Sequence, residues 1–183
     1  MKRHLWLYTL ALLTTSRLSA QTADEQRLTD IRQFFQQIEQ DSSLQKVSMT
    51  EREFLGEETT LGGGSMKGYF RGDSLCKIDV SVGLAYGTLQ EHYYFSGNRL
   101  LFVYETEDDF KQPGATPSFE ARYYFDKDML IQKMATGKRA MGPDDPHHYL
   151  ELFHNGHYYA GLLVRKYRAH KPSPAPAPAV RTT

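Results

Sequence analysis

Apolar residues change their period partway along the chain. Leu28, Ile31, Phe34, Phe35 and Ile38 recur every three or four residues, which puts them on one stripe of an amphipathic helix over 23–40. Thr22-Ala23-Asp24-Glu25 has the form of a capping box, in which hydroxyl and carboxylate satisfy the free N–H groups of a helix start. Asp41-Ser42-Ser43 closes that helix. From about Gln45 to Met134 the period is two, as in strands, beginning with a strand near 45–54.

Within this stretch a unit repeats. Tyr69-Phe70-Arg71-Gly72-Asp73-Ser74-Leu75 aligns with Tyr94-Phe95-Ser96-Gly97-Asn98-Arg99-Leu100 and with Tyr124-Phe125-Asp126-Lys127-Asp128-Met129-Leu130. Each copy reads strand, polar turn, strand, which is a hairpin. A three-residue loop with a bulge, ending on a left-handed Asp73, Asn98 or Asp128, gathers the apolar side chains on one face. That face is expected to carry Phe70, Cys76, Ile78, Val80, Val82, Tyr93, Phe95, Leu101, Val103, Tyr123, Phe125 and Ile131. The reverse face is mixed: Tyr69, Lys77, Asp79, His92, Tyr94, Phe102, Tyr104, Arg122 and Tyr124. The fold class is therefore α+β, an N-terminal helix packed on the apolar face of an antiparallel meander of about seven strands. A loop near 107–118 interrupts the meander.

A C-terminal helical segment is expected within 145–169, where Tyr149, Leu150, Phe153, Ala160, Leu163, Val164 and Tyr167 recur at helical spacing. Asp145-Pro146 resembles an N-cap followed by Pro at the first helical position. Asn155-Gly156 breaks the run and predicts a kink or two short helices, with a hairpin turning at that dipeptide as the rival. After His170, Pro alternates with Ala, so 171–183 reads as a disordered tail.

Residues 1–20 stand apart. Lys2 and Arg3, the nine apolar residues 5–13 and Ser19-Ala20 before Gln21 make a secretory signal peptide. Residues 21–170 then form a single exported domain, periplasmic or extracellular, with no membrane span in the mature chain. Removing residues 1–20 takes Lys2, Arg3 and Arg17, and no acid, from 22 basic and 22 acidic residues, leaving a formal −3. A nucleic-acid partner is excluded on that balance. The single Cys76 forms no internal disulfide, and its alternation with Ile78 and Val80 places it in the core.

Candidate chemistry is sparse. His147, Glu151 and His154 share a face of a helix and offer two imidazoles and a carboxylate to a transition metal, the basis of a metal-dependent hydrolase reading. Their spacing matches neither common zinc-protease motif. Arg71-Gly72-Asp73 spells an adhesion tripeptide, but the equivalent loops show that turn chemistry alone explains it. Leu61-Gly-Gly-Gly-Ser65 lacks the Gly-Lys-Ser/Thr ending of a phosphate loop. No catalytic residues and no cofactor are expected. The mixed face holds more: Tyr69, Tyr94 and Tyr124 are repeat-equivalent, with His92, Tyr104 and Arg122 beside them. Tyr and Arg anchor interfaces because they combine large area with polar tips.

Glu91-His-Tyr-Tyr-Phe-Ser-Gly-Asn-Arg-Leu-Leu-Phe-Val-Tyr104, followed by a second Tyr-Tyr-Phe hairpin over 123–131, resembles a group of small exported bacterial proteins without an assigned activity. The resemblance spans roughly 22–168 and implies a signal peptide, one helix and a meander sheet. It brings no catalytic residues. Together these readings predict a non-catalytic binding domain for an unidentified protein or cell-envelope component, using the Tyr/Arg/His face of the sheet.

Overall fold

The computed structural model describes residues 24–56, 60, 62–110, 117–140 and 143–171. The expected signal peptide, the expected Thr22 cap and the expected tail beyond Lys171 lie outside them. A helix over 24–40 (α1) leads into β1 (Gln45–Thr50), the short α2 (Glu51–Leu55), β2 (Gly64–Arg71) and β3 (Ser74–Gly83). Then follow β4 (Gly87–Ser96), β5 (Arg99–Asp109), β6 (Phe119–Asp126), β7 (Met129–Gly137) and α3 (His148–His170). The seven strands form one antiparallel sheet in sequence order, β1 and β7 at its edges. The architecture is α+β, and no helix among the described residues is long and apolar enough to cross a membrane.

The three hairpins share one geometry. Arg71 pairs with Ser74, Ser96 with Arg99 and Asp126 with Met129, so each loop has two residues. A register shift follows one step into the ladder, between Tyr and Phe of each copy. The left-handed residues are Gly72 and Gly97 rather than Asp73 and Asn98, and in the third turn both Lys127 and Asp128. Two-residue loops with positive φ match the right-handed strand twist. The bulge also reassigns side chains. Leu75 and Leu100, not Cys76 and Leu101, join Phe70 and Phe95 on one face, while Cys76 and Leu101 turn to the other. Ile131, expected in the core, sits at the third bulge, equivalent to Cys76 and Leu101, and is 37% exposed on edge strand β7, while Leu130 packs against the core face.

Helix placement follows from that reassignment. The face of Phe70, Ile78, Val80, Tyr93, Phe95, Val103, Tyr123 and Phe125 is covered by α3, through Leu152, Leu163 and Tyr167, and by Phe54 of α2. Helix α1, expected there, lies instead on the mixed face. Its Ile31 and Ile38 pack with Cys76, Tyr94, Leu101, Phe102 and Tyr124, and Phe35 stacks on Phe102 at 4.6 Å. The bulges supply the physical reason, since Cys76 and Leu101 add the apolar area that makes the mixed face worth covering. The two long helices α1 and α3 therefore lie on opposite faces of the sheet.

Three local expectations change. Strand β1 stops at Thr50, where the Thr50 N–H donates to Glu53 Oε2 at 2.7 Å and a capping box starts α2. Helix α3 begins at His148, because Asp145 Oδ1 accepts the His147 N–H at 2.8 Å and holds Pro146 and His147 in a turn. Asn155-Gly156 interrupts nothing. At Gly156 the helix backbone approaches the Tyr93 ring so closely that a Cβ would sit 2.9 Å from Tyr93 Cδ1. The glycine marks helix-on-sheet contact, and α3 runs unbroken.

Candidate functional site

The six residues of the expected binding face fall into two rows. Tyr69, Tyr94 and Tyr124 occupy the row under α1, where Tyr94 and Tyr124 are buried. The Tyr94 hydroxyl donates to Glu39 at 2.8 Å, and Glu39 also accepts Lys77 at 2.7 Å, tying helix to sheet. Arg32 of α1 lies over the Tyr124 ring at 5.5 Å. Burial, then the Glu39 carboxylate, pushes the Tyr94 phenol far above its usual range. Tyr94 and Tyr124 thus pack under α1, while half-buried Tyr69 lies beside them with the Lys46 and Lys77 ammonium groups over its ring.

One step along the strands the sheet emerges from under α1. Here Asp79, His92, Tyr104, Arg122 and Met134 are successive cross-strand neighbours on β3 to β7. His92 Nδ1 lies 2.6 Å from Asp79 Oδ1, and the imidazole stacks on the Tyr104 ring at 5.8 Å. From the other side the Arg122 guanidinium lies 5.2 Å from the Tyr104 ring centre, and Arg122 pairs with Glu120. Burial raises the Asp79 carboxyl less than His92, Tyr69 and Lys77 lower it, so it stays below its usual range. Burial, then Glu120, raises the Tyr104 phenol. The side chains of His92 and Arg122 remain 24% and 40% exposed. The result is a partly exposed three-rung ladder, imidazole–phenol–guanidinium, with each rung held by its neighbour.

Beyond the ladder comes a polar row, Ser65, Ser81, Gln90, Thr106, Glu120 and Thr136. It ends at a shallow recess of about 330 Å³ lined by Gly62, Gly63, Gly64, Ser65, Ser81, Gly83 and Thr88. The backbones of Gly62 and Gly83 approach so closely that a Cβ on Gly83 would lie 2.4 Å from Gly62 Cα.

The histidine cluster behaves differently. Among the described residues no three His, Cys, Asp or Glu side chains converge as a metal ligand set, so His147, Glu151 and His154 are not brought together. It is His148 that engages Glu151, at 3.2 Å, and turns its other ring nitrogen inward to Glu105 at 3.0 Å.

That contact belongs to a polar cluster absent from the expectations above. Glu91, Glu105 and Glu107 lie on the α3 face, all nearly or fully buried. Arg139 donates two hydrogen bonds to Glu105, at 2.8 and 2.9 Å, and reaches Glu107 at 3.4 Å. Tyr123 donates to Glu105 at 3.0 Å, the Ala140 N–H to Glu107 at 2.8 Å, and Tyr93 to Glu91 at 2.5 Å. Environment splits the carboxylates. Burial would raise Glu105, but His148 and Arg139 outweigh it and hold it down at about 2. Burial pushes Glu91 up to about 7 against the single Tyr93 bond, with Glu105 adding repulsion. Opposed carboxyl pKa values are a mark of acid–base machinery. A substrate has no approach here, since Glu105 has no exposed surface and Glu91 only 6%. Strand parity carried the signal: Glu91 and Glu105 each lie two residues from an inward side chain, Tyr93 and Val103, and so point inward.

Comparison with protein-family models, with curated proteins and with solved structures finds no match for the chain.

Proposed function

We propose that the chain is an exported, non-catalytic binding domain, of the small bacterial kind it resembles, which engages a protein or cell-envelope component through the uncovered part of the α1-side sheet face. The signal-like pattern of residues 1–20 supports export to the periplasm or beyond. The His92–Tyr104–Arg122 ladder carries the binding reading. Interface hot spots favour Tyr and Arg, and aromatic side chains already held in place lose little entropy on contact. Asp79 and Glu120 fix the two outer rungs, so the ladder meets a partner already ordered.

The experiment is affinity capture from envelope extract with the mature chain, comparing Tyr104→Ala and Arg122→Ala with Tyr158→Ala, which truncates an exposed aromatic on α3. Tyr104→Ala is expected to weaken retention of the enriched component by at least about 30-fold, equivalent to about 2 kcal/mol, with an unchanged folded spectrum. Equal retention by Tyr104→Ala, or loss with Tyr158→Ala instead, sinks the reading.

A further inference from the structure

Among the described residues, the buried carboxylate patch has fewer cations than carboxylates. Glu91 and Glu105 are direct partners across β4 and β5, and Glu107 is the next inward residue on β5. The segment after β7 contributes Arg139, whose guanidinium serves Glu105 and Glu107 and continues to Asp144, itself paired with Lys133 of β7. Helix α3 contributes His148, spent on Glu105 and Glu151, and the phenol of Tyr159. Strand β6 contributes the Tyr123 hydroxyl, also on Glu105. From β3, Glu91 meets only Val80. Both described cations are thus hydrogen-bonded elsewhere, and among the described residues Glu91 has one donor, the uncharged Tyr93. Ionised, it is a buried charge with no cation hydrogen-bonded to it among the described residues, repelled by Glu105 and Glu151 and attracted only at a distance by His148. Protonated, it leaves the patch close to neutral while His148 is charged. An unpaired buried charge is among the most costly groups a fold can hold.

Tyr93 links this proton to the helix. Its hydroxyl meets Glu91, its ring lies nearly perpendicular to the Tyr159 ring at 6.0 Å, and its Cδ1 and Cε1 atoms are where the Gly156 backbone rests. Anything that draws the Glu91 carboxylate towards water moves the residue on which the middle of α3 is seated. The C-terminal half has an anchor of its own: Tyr167 stacks on Phe70 at 4.2 Å, and its hydroxyl lies within hydrogen-bond distance, 2.8 Å, of both Gln45 and the Gly72 carbonyl.

We propose that Glu91 is a proton-operated latch for α3. With its carboxyl neutral, the N-terminal half of α3 lies closed on β4 to β6. Loss of the proton loosens that half and uncovers the apolar face, while the half anchored by Tyr167 stays docked. The device lies on the sheet face opposite the His92 ladder and does not depend on the ladder's role. The position of Glu91 near 7 places the switch close to neutral pH.

Hydrogen exchange on the intact chain tests this, at about pH 5.5 and about pH 8.5 with correction for intrinsic exchange rates. Protection of amides 148–156 is expected to fall by about tenfold or more at the higher pH, with β4, β5 and 163–168 unchanged. In Glu91→Gln, which keeps the shape without the charge, protection of 148–156 is expected to stay high at both. Unchanged protection in the wild type overturns the latch, and that comparison needs no variant. So does a fall in Glu91→Gln equal to the wild type's, or a loss shared equally by β4 and β5, which would mean global unfolding.

Discussion

The two faces of the sheet are built from the same hairpin repeat and end in opposite conditions. On the α3 side the inward residues are Phe70, Tyr93, Phe95, Tyr123 and Phe125, and a 23-residue helix covers them so fully that three glutamates are trapped beneath its start. On the α1 side the repeat places tyrosines. The helix over 24–40 covers one row and leaves the next, with His92, Tyr104 and Arg122, in contact with solvent. The difference teaches that burial here is decided by helix reach, not by strand composition: Glu105 is fully buried and Arg122 half-exposed on neighbouring strands.

The sharpest way to break this comparison is to truncate one residue on each face. Leu163→Ala on the sealed side removes a fully buried side chain and is expected to cost about 2–5 kcal/mol. Tyr104→Ala on the open side should cost under about 1 kcal/mol in denaturant unfolding. Similar losses from both would mean that the two faces are equally part of the core.

A pH series separates the trapped carboxylates from the rest. The folded Glu91 carboxyl lies above its unfolded value of 4.5, so its contribution is fully present below about pH 4.5 and is lost as pH rises through about 7. His148 is also raised, since Glu105 outweighs burial, and its contribution fades in the same direction. Glu105 has the opposite sign. Its carboxyl is depressed to about 2, so its contribution is present above about pH 4.5 and is lost as pH falls towards 2. Thermal midpoints should therefore peak in mildly acidic buffer. Glu91→Gln is expected to flatten the neutral-side fall and leave the acid-side fall intact. A midpoint rising steadily up to pH 8 would remove the carboxylate patch as a feature of the sealed face.

The smallest expected effect tests the contact at the helix midpoint. Gly156→Ala gains up to about 1 kcal/mol of helix propensity. It also drives a Cβ into the fully buried Tyr93 ring, an overpacking expected to cost about 1–3 kcal/mol. Net destabilisation by urea titration sharpens the contrast between faces, and net stabilisation would show that α3 rides loosely on the sheet.

Much of this was legible in the residues. The stripe from Leu28 to Ile38 and the repeated Tyr-Phe turn are local patterns, and they correctly separate Phe70, Phe95 and Phe125 from Tyr69, Tyr94 and Tyr124. Cys76 and Leu101 were misplaced because a one-residue bulge reverses side chains without altering the alternation that suggested their face. The candidate site was half legible. His92, Tyr104 and Arg122 stay accessible, but nothing in their neighbourhood along the chain says that α1 covers Tyr94 and Tyr124 while stopping short of them. Parity makes Glu91 and Glu105 inward residues, yet Arg139 and His148, which bind Glu105, lie more than 30 residues away from it.

Sequence alone determined helix α1, the antiparallel meander and the helical stripe of α3, because helix and strand periodicity are interactions between near neighbours. Tertiary structure alone decided which helix lies on which face, and with it which polar groups are buried. That choice depends on the apolar area each face presents after the bulges have formed, a sum over strands far apart in the chain.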